Sequence, residues 1–283
     1  VADFQPDLVI IKCNTTQLAV FKTSSMAGDS ALLLNTTGTL LTDVIQSFAS
    51  TGFQVGTSAR SNASGVTCYY AAFATDANND LSVGVYAGDG LDNKNITISP
   101  AFTPIMAAVK EDSSTSAIGR WRGDHTGDLT SSFGGIAEAA NIIQQYNADG
   151  FQVGTHTDIN QSAVDHYYFA FKSITNYTLA GNFSGDGLDD KVITVGFQPD
   201  FLFIKGNSAT ASLVLRFASM AGDLSCSVAA VACTTNQLQS LDANGFTVGT
   251  ATNVNENTVT MRWFAVKTPV YTTRRPVQVM FLD

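Results

Sequence analysis

The sequence predicts an all-β fold of three tandem β-sandwich or jelly-roll-like units of about ninety-five residues, related by pseudo-threefold symmetry. Three observations predict it. Four signposts recur three times in the same order, which is the mark of an internal repeat. Short runs of β-branched and aromatic residues stop at Gly, Pro, Asn and Asp, as strands do. Charged residues make up only 14% of the chain against the usual ~25%, so Ser, Thr, Asn and Gly must supply much of the surface between strands.

The first signpost is Phe4-Gln5-Pro6-Asp7 followed by the apolar run Leu8–Ile11 and Lys12; it returns from Phe102 to Lys110 and from Phe197 to Lys205. Proline stands where its missing N–H costs a ladder least. The run after it is too short and too β-branched for a helix, and reads as a strand buried on both faces. The second signpost ends in Gly-Asp, at Gly28-Asp29, Gly127-Asp128 and Gly222-Asp223. The third is Gly-Phe-x-Val-Gly-Thr at 52–57, 150–155 and 245–250, a half-buried strand fenced by glycines. Each unit closes on an aromatic strand, Cys68–Phe73, His166–Lys172 and Met261–Lys267. Before the third signpost, Ile136–Tyr146 places apolar residues three and four apart, which predicts a short helix in the second unit only.

Units two and three open with one more element, Tyr86-Ala87-Gly88-Asp89-Gly90-Leu91-Asp92-Asn93-Lys94 and Phe183-Ser184-Gly185-Asp186-Gly187-Leu188-Asp189-Asp190-Lys191. The units therefore span 1–76, lacking its first strand, 83–173 and 178–268, with 269–283 a C-terminal strand or tail. Pro276–Leu282 has strand character and is expected to fill the gap in unit one or to pair with a neighbouring subunit, because unpaired edges are rarely tolerated.

Bulk properties exclude several classes. The formal charge is −9 and the arginines at 120, 122, 274 and 275 form no basic patch, so nucleic acid is not an expected partner. No apolar run approaches the ~18 residues of a membrane span. The chain opens on Val1 without a basic-then-apolar leader pattern, so a processed N-terminus and a start inside a longer chain are both compatible. Cys13 with Cys68 and Cys226 with Cys233 form either two disulfides in an oxidising setting or four buried thiols; no Cys/His spacing suggests zinc.

Taken in order, these motifs resemble repeats in tail-fibre-like and other virion surface proteins of tailed bacteriophages and related prophage or bacterial surface proteins. The resemblance runs from Phe4 to Lys267 and departs in unit two, where Arg122-Gly123-Asp124-His125-Thr126 replaces the Ser-Met-Ala stretch. It implies a β-rich structural or adhesive module at a virion surface or outside cells, and it carries no catalytic residues onto this chain.

Chemistry read from the residues is sparse. The three histidines, His125, His156 and His166, all lie in unit two, and no GxSxG elbow, HExxH helix or P-loop is present. Asp89, Asp92 and Asn93, and again Asp186, Asp189 and Asp190, offer hard oxygen ligands suited to Ca²⁺. The competing reading is a polar turn in which Gly takes φ > 0 and the following Lys pairs a carboxylate. Arg122-Gly123-Asp124 matches an integrin-type tripeptide, a triplet common by chance and placed here where the repeat expects a loop, and Asn14, Asn35, Asn62, Asn95, Asn160, Asn176 and Asn182 head N-x-Ser/Thr triplets. Tyr69, Tyr70, Tyr167, Tyr168 and Trp263 offer faces for core packing or sugar stacking. The expected function is a non-enzymatic virion structural protein without a cofactor: a capsid decoration, tail or fibre-type subunit contacting copies of itself or other virion proteins. The alternatives are a surface adhesin that binds host glycan, and a glycan depolymerase with carboxylates ~5–10 Å apart.

Overall fold

The computed structural model describes residues 4–75, 80–113 and 118–268, so Pro276–Leu282 lies outside the described residues. The fold is all-β. Unit one holds β1 (Leu8–Cys13), β2 (Val20–Thr23), β3 (Leu32–Leu33), β4 (Ile45–Ala49), β5 (Gly52–Val55) and β6 (Cys68–Phe73). Unit two opens with β7 (Leu81–Ala87) and β8 (Lys94–Thr97). It continues through β9 (Pro104–Glu111), β10 (Arg120–Arg122), β11 (Ser131–Ser132), β12 (Ile143–Asn147), β13 (Gly150–Val153), α1 (Thr157–Asn160) and β14 (Asp165–Lys172). Unit three repeats this as β15 (Thr178–Ser184), β16 (Lys191–Thr194), β17 (Phe201–Gly206), β18 (Val214–Phe217), β19 (Cys226–Ser227), β20 (Leu238–Asp242), β21 (Gly245–Val248), α2 (Thr252–Asn255) and β22 (Thr260–Val266). No described helix is long and apolar enough to cross a membrane.

Pairing between the named strands is antiparallel, and one order recurs. The large sheets run β3-β2-β1-β6, β11-β10-β9-β14-β7 and β19-β18-β17-β22-β15, with the run after each proline at the centre. The small sheets are β4-β5, β12-β13-β8 and β20-β21-β16. Among the described residues, unit one shows no strand equivalent to β7 and β15 and none equivalent to β8 and β16.

Alternation along each large-sheet strand sends side chains to two different cores. Leu8 and Ile10, Met106 and Ala108, and Phe201 and Phe203 enter one central core shared by all three units. Their neighbours Val9 and Ile11, Ala107 and Val109, and Leu202 and Ile204 face three separate cores, each closed by the unit's own small sheet. Antiparallel strands therefore carry continuous apolar runs here, because each large sheet is covered on both faces. The central core is aromatic: Phe73 meets Phe171 at 5.2 Å and Phe201 at 5.7 Å between centroids, and Trp121 meets Phe203 edge-on at 4.9 Å.

The seams between units repeat as well. The amides of Ala19, Gly119 and Leu213 donate to the carbonyls of Val228, Leu34 and Phe133 in the next unit, at 3.0, 3.1 and 3.0 Å. The amides of Leu40, Glu138 and Cys233 donate to the side-chain oxygens of Asp112, Asn207 and Asn14 at 2.8, 2.9 and 2.9 Å. Each set links unit one to two, two to three and three to one, so the body is a closed ring.

The helix expected over Ile136–Tyr146 is not formed: Ile143–Asn147 is a strand, and 136–142 is irregular. The spacing that suggested a helix comes from a β-bulge between Ile143 and Gln145, which buries both Ile142 and Ile143 and resets the alternation. The same bulge lies in the β4–β5 and β20–β21 hairpins. Helical turns occur instead at α1 and α2, where polar residues gave no periodic signal.

Since the central core belongs to all three units, Phe203→Ala is expected to cost about 3–5 kcal/mol. It should lower the unfolding midpoint of the whole chain in one transition. Chemical denaturation followed by fluorescence and by circular dichroism checks this, because separately melting units would give non-coincident curves.

Candidate functional site

Most of the repeated polar residues hold the fold. Lys12, Lys110 and Lys205, at the ends of the buried runs, are 0%, 1% and 1% exposed. Each ammonium donates to main-chain carbonyls: Lys12 to Cys13, Thr15 and, across a seam, Val231; Lys110 to Glu111; Lys205 to Gly206 and Ser208. Burial pushes all three pKa values down to about 8.

A second buried cation organises each Gly-Asp loop. Lys22 donates to the carbonyl of Gly28 at 2.8 Å, Arg122 to that of Gly127 at 2.6 Å and Arg216 to that of Gly222 at 2.6 Å. These three glycines have φ of +59°, which favours glycine there. The Asp that follows caps the next loop: Asp29, Asp128 and Asp223 accept from the amides of Asp43, Asn141 and Asn236. Those residues take φ near +60° and bond Thr57, Thr155 and Thr250, the threonines of the third signpost.

The Arg122-Gly123-Asp124 tripeptide belongs to this arrangement. Arg122 is buried and also bonded to the carbonyls of Ile143 and Leu129, so the arginine of the tripeptide is not displayed although Asp124 is exposed. Of the five aromatic residues considered for sugar stacking, Tyr70, Tyr167, Tyr168 and Trp263 are buried. Tyr69 is half-buried and stacked on Phe217 of unit three. Asn160 is fully buried and offers no acceptor for a glycan.

The two Asp-Gly loops are built alike. Asp89 Oδ1 accepts from the Leu91 amide at 2.9 Å and from Asn160 Nδ2 at 3.2 Å, while Oδ2 pairs with Lys94 at 2.9 Å. Asp186 does the same with Leu188, Asn255 and Lys191, at 2.9, 3.1 and 2.6 Å. These hydrogen bonds hold both carboxyls below the usual range, Asp186 at about 2. Asp92 and Asp189 turn instead toward Gln144 and Gln239, at 2.9 and 3.0 Å. Asn93 and Asp190 occupy the left-handed region at φ of +59° and +57°, as short polar side chains do in turns. Among the described residues, no group of three or more His, Cys, Asp or Glu is placed to hold a metal ion. The exposed tips are Leu91 and Leu188, 67% and 66% accessible. Disulfides join Cys13 to Cys68 across β1 and β6, and Cys226 to Cys233.

One cluster has the composition of a catalytic triad. His125 Nε2 lies 2.9 Å from Ser131 Oγ and 3.7 Å from Glu138 Oε1. Its chemistry is wrong for a general base, however. The Gly123 amide donates to His125 Nδ1 at 3.0 Å, which places the imidazole proton on Nε2, facing the serine. Histidine then donates to Ser131 and cannot take its proton. Burial, with Arg262 and Arg122 nearby, drives the His125 pKa down to about 2. Glu138 is committed to Arg262 of unit three through both carboxylate oxygens, so the cluster is a seam contact. No signal in the sequence paired Glu138 with Arg262, because they lie 124 positions apart.

His156 caps α1 by accepting from the Asp158 amide, and Asp158 pairs with Arg120 at 2.6 Å with both side chains buried. His166 is buried, stacked on Tyr86 at 5.2 Å and 4.0 Å from Glu111. Burial lowers its pKa to about 4.

A family model described as a domain of unknown function (DUF7483) matches residues 172–274, a span that contains β15 to β22. No curated protein and no solved structure matches the chain.

The folded pKa of His166 lies below its unfolded value, so the unfolded chain binds more protons between pH ~6.5 and about 4. The stability linked to it is fully present above pH ~6.5 and lost as pH falls, by on the order of 2–3 kcal/mol at pH 4. Urea midpoints of the wild type and His166→Gln measured from pH 7 to 4 should converge as the pH drops. Asn255→Ala strands the Asp186 amide and the Leu188 carbonyl, and should cost about 2 kcal/mol while speeding amide exchange at Asp186.

Proposed function

We propose that this chain is a non-enzymatic structural protein of a virion surface, a capsid decoration, tail or fibre-type subunit that works through contacts with copies of itself or with other virion proteins. The observation that carries this reading is the use to which reactive side chains are put. Histidines, buried lysines and arginines, and the Ser131–His125–Glu138 cluster hold loops or join units, and the imidazole proton faces the serine. A closed ring with three bonded seams is a rigid block suited to repeated placement. The equivalent tips of Leu91 and Leu188 offer apolar contacts on the outside of units two and three. Two disulfides suit a protein that works outside the reducing cytosol.

Electron microscopy of the protein in its native source is the decisive measurement. The expected result is a regular lattice, ring or filament with the chain at fixed positions. A dispersed monomer that binds on a glycan array would overturn this reading in favour of an adhesin, and release of reducing ends from polysaccharide would establish an enzyme.

A further inference from the structure

The three seams are built alike, but disulfides flank only one of them. The bridges Ala31–Leu41, Thr130–Ala139 and Ser225–Thr234 align the loops that each unit turns toward the next. Leu32 and Leu40, Ser131 and Glu138, and Cys226 and Cys233 therefore stand at equivalent positions, at the two ends of those loops. In unit one both residues pack into the central core, and in unit two Ser131 Oγ reaches Glu138 Oε1 at 3.5 Å. In unit three the pair is a disulfide. The loop it closes carries three contacts with unit one. The Val228 carbonyl accepts from the Ala19 amide at 3.0 Å, the Val231 carbonyl accepts from Lys12 Nζ at 2.9 Å, and the Cys233 amide donates to Asn14 Oδ1 at 2.9 Å.

The receiving side of that seam is braced as well. Cys13 and Cys68 are cross-strand partners of β1 and β6, in the register position that Glu111 and His166 hold in unit two and Gly206 and Met261 in unit three. Their disulfide lies between Lys12 and Asn14, the two residues that grip the unit-three loop. The other two seams hold no cysteine, since all four in the chain are used here. They have a different tie. Units one and two, and units two and three, are consecutive in the chain, whereas units one and three meet only through non-covalent contacts. Among these is the stacking of Tyr69 on Phe217, at 6.3 Å between centroids.

We propose that the seam between units three and one is a redox-controlled joint, held shut by the two disulfides and opened by a dithiol reductant while the other two seams stay closed. A short cross-linked loop has few open conformations, so the Cys226–Cys233 bond keeps Val228, Val231 and Cys233 in place for unit one. The reduced loop gains conformations in which those three contacts are broken. Cys226 is fully buried, and Cys233 is 9% exposed between the exposed Ala232 and Thr234, so exchange starts at Cys233. A thiolate of the dithiol attacks Cys233 Sγ. The Cys226–Cys233 bond breaks as the new S–S bond forms, and Cys226 leaves as a thiolate that takes a proton from water. The second thiolate of the reagent then displaces Cys233, which is protonated in turn, and the reagent closes into a cyclic disulfide. The dithiol is oxidised and the cystine reduced by the same electron pair. At Cys13–Cys68 the same exchange starts from the half-buried Cys68.

The equivalent amides of Ala19, Gly119 and Leu213 report on one seam each. The test is amide hydrogen exchange of the full chain by NMR, oxidised and after reduction with dithiothreitol, with the loss of both disulfides verified by mass. Exchange at Ala19 and Cys233 is expected to accelerate about ten- to a hundredfold and to slow again on reoxidation, with Gly119 and Leu213 unchanged within about twofold. The double variant Cys226→Ser, Cys233→Ser should speed exchange at Ala19 without any reductant; should it misfold, the reduced wild type decides alone. Unchanged exchange at Ala19 overturns the proposal, because the disulfides then do nothing for the seam. Equal acceleration at all three amides overturns it too, because the disulfides then stabilise the ring as a whole.

Discussion

Each large sheet is apolar on both faces, and the architecture depends on that constraint. A single sandwich covers one face only. The other, bearing Leu8 and Ile10, Met106 and Ala108 or Phe201 and Phe203, must find a second cover. A unit of this kind is incomplete alone, and three units closing around one aromatic core satisfy all three inner faces at once. The free energy of that burial is non-directional. Register between units is set instead by hydrogen bonds across the seams, six of which repeat in two sets of three with defined partners and distances.

Burying so much sheet also buries chain ends of strands and the loops between them, whose carbonyls need donors. The chain meets this with cations. Lys12, Lys110 and Lys205 serve the ends of the central strands, and Lys22, Arg122 and Arg216 serve the Gly-Asp loops. An ammonium or guanidinium reaches several carbonyls, and each charge-assisted bond is stronger than a neutral one. The recurring Lys, Gly-Asp and Gly-Thr are therefore a structural kit. Chemistry of any other kind must be sought where the three copies differ.

They differ most in unit one. Among the described residues its large and small sheets each hold one strand fewer than those of units two and three.

The sequence by itself determined the repeat, the all-β class, the buried strand after each proline and the turns at Gly-Asp, because these depend on local pattern and on residue types with narrow backbone preferences. It misread Ile136–Tyr146, since a β-bulge and a helix can share apolar spacing, and a bulge is defined by its partner strand. It gave no sign of α1 and α2, which are held by Asn160 and Asn255 gripping loops about seventy residues away. The Asp-Gly loops were legible as polar turns or as metal ligands. Only the fold brought Lys94, Lys191 and the two asparagines against the carboxylates. The Ser131–His125–Glu138 cluster and its Arg262 partner were likewise invisible, because contacts across a seam join residues that no local pattern relates. Tertiary structure also fixed where the histidine proton sits, through one amide of Gly123.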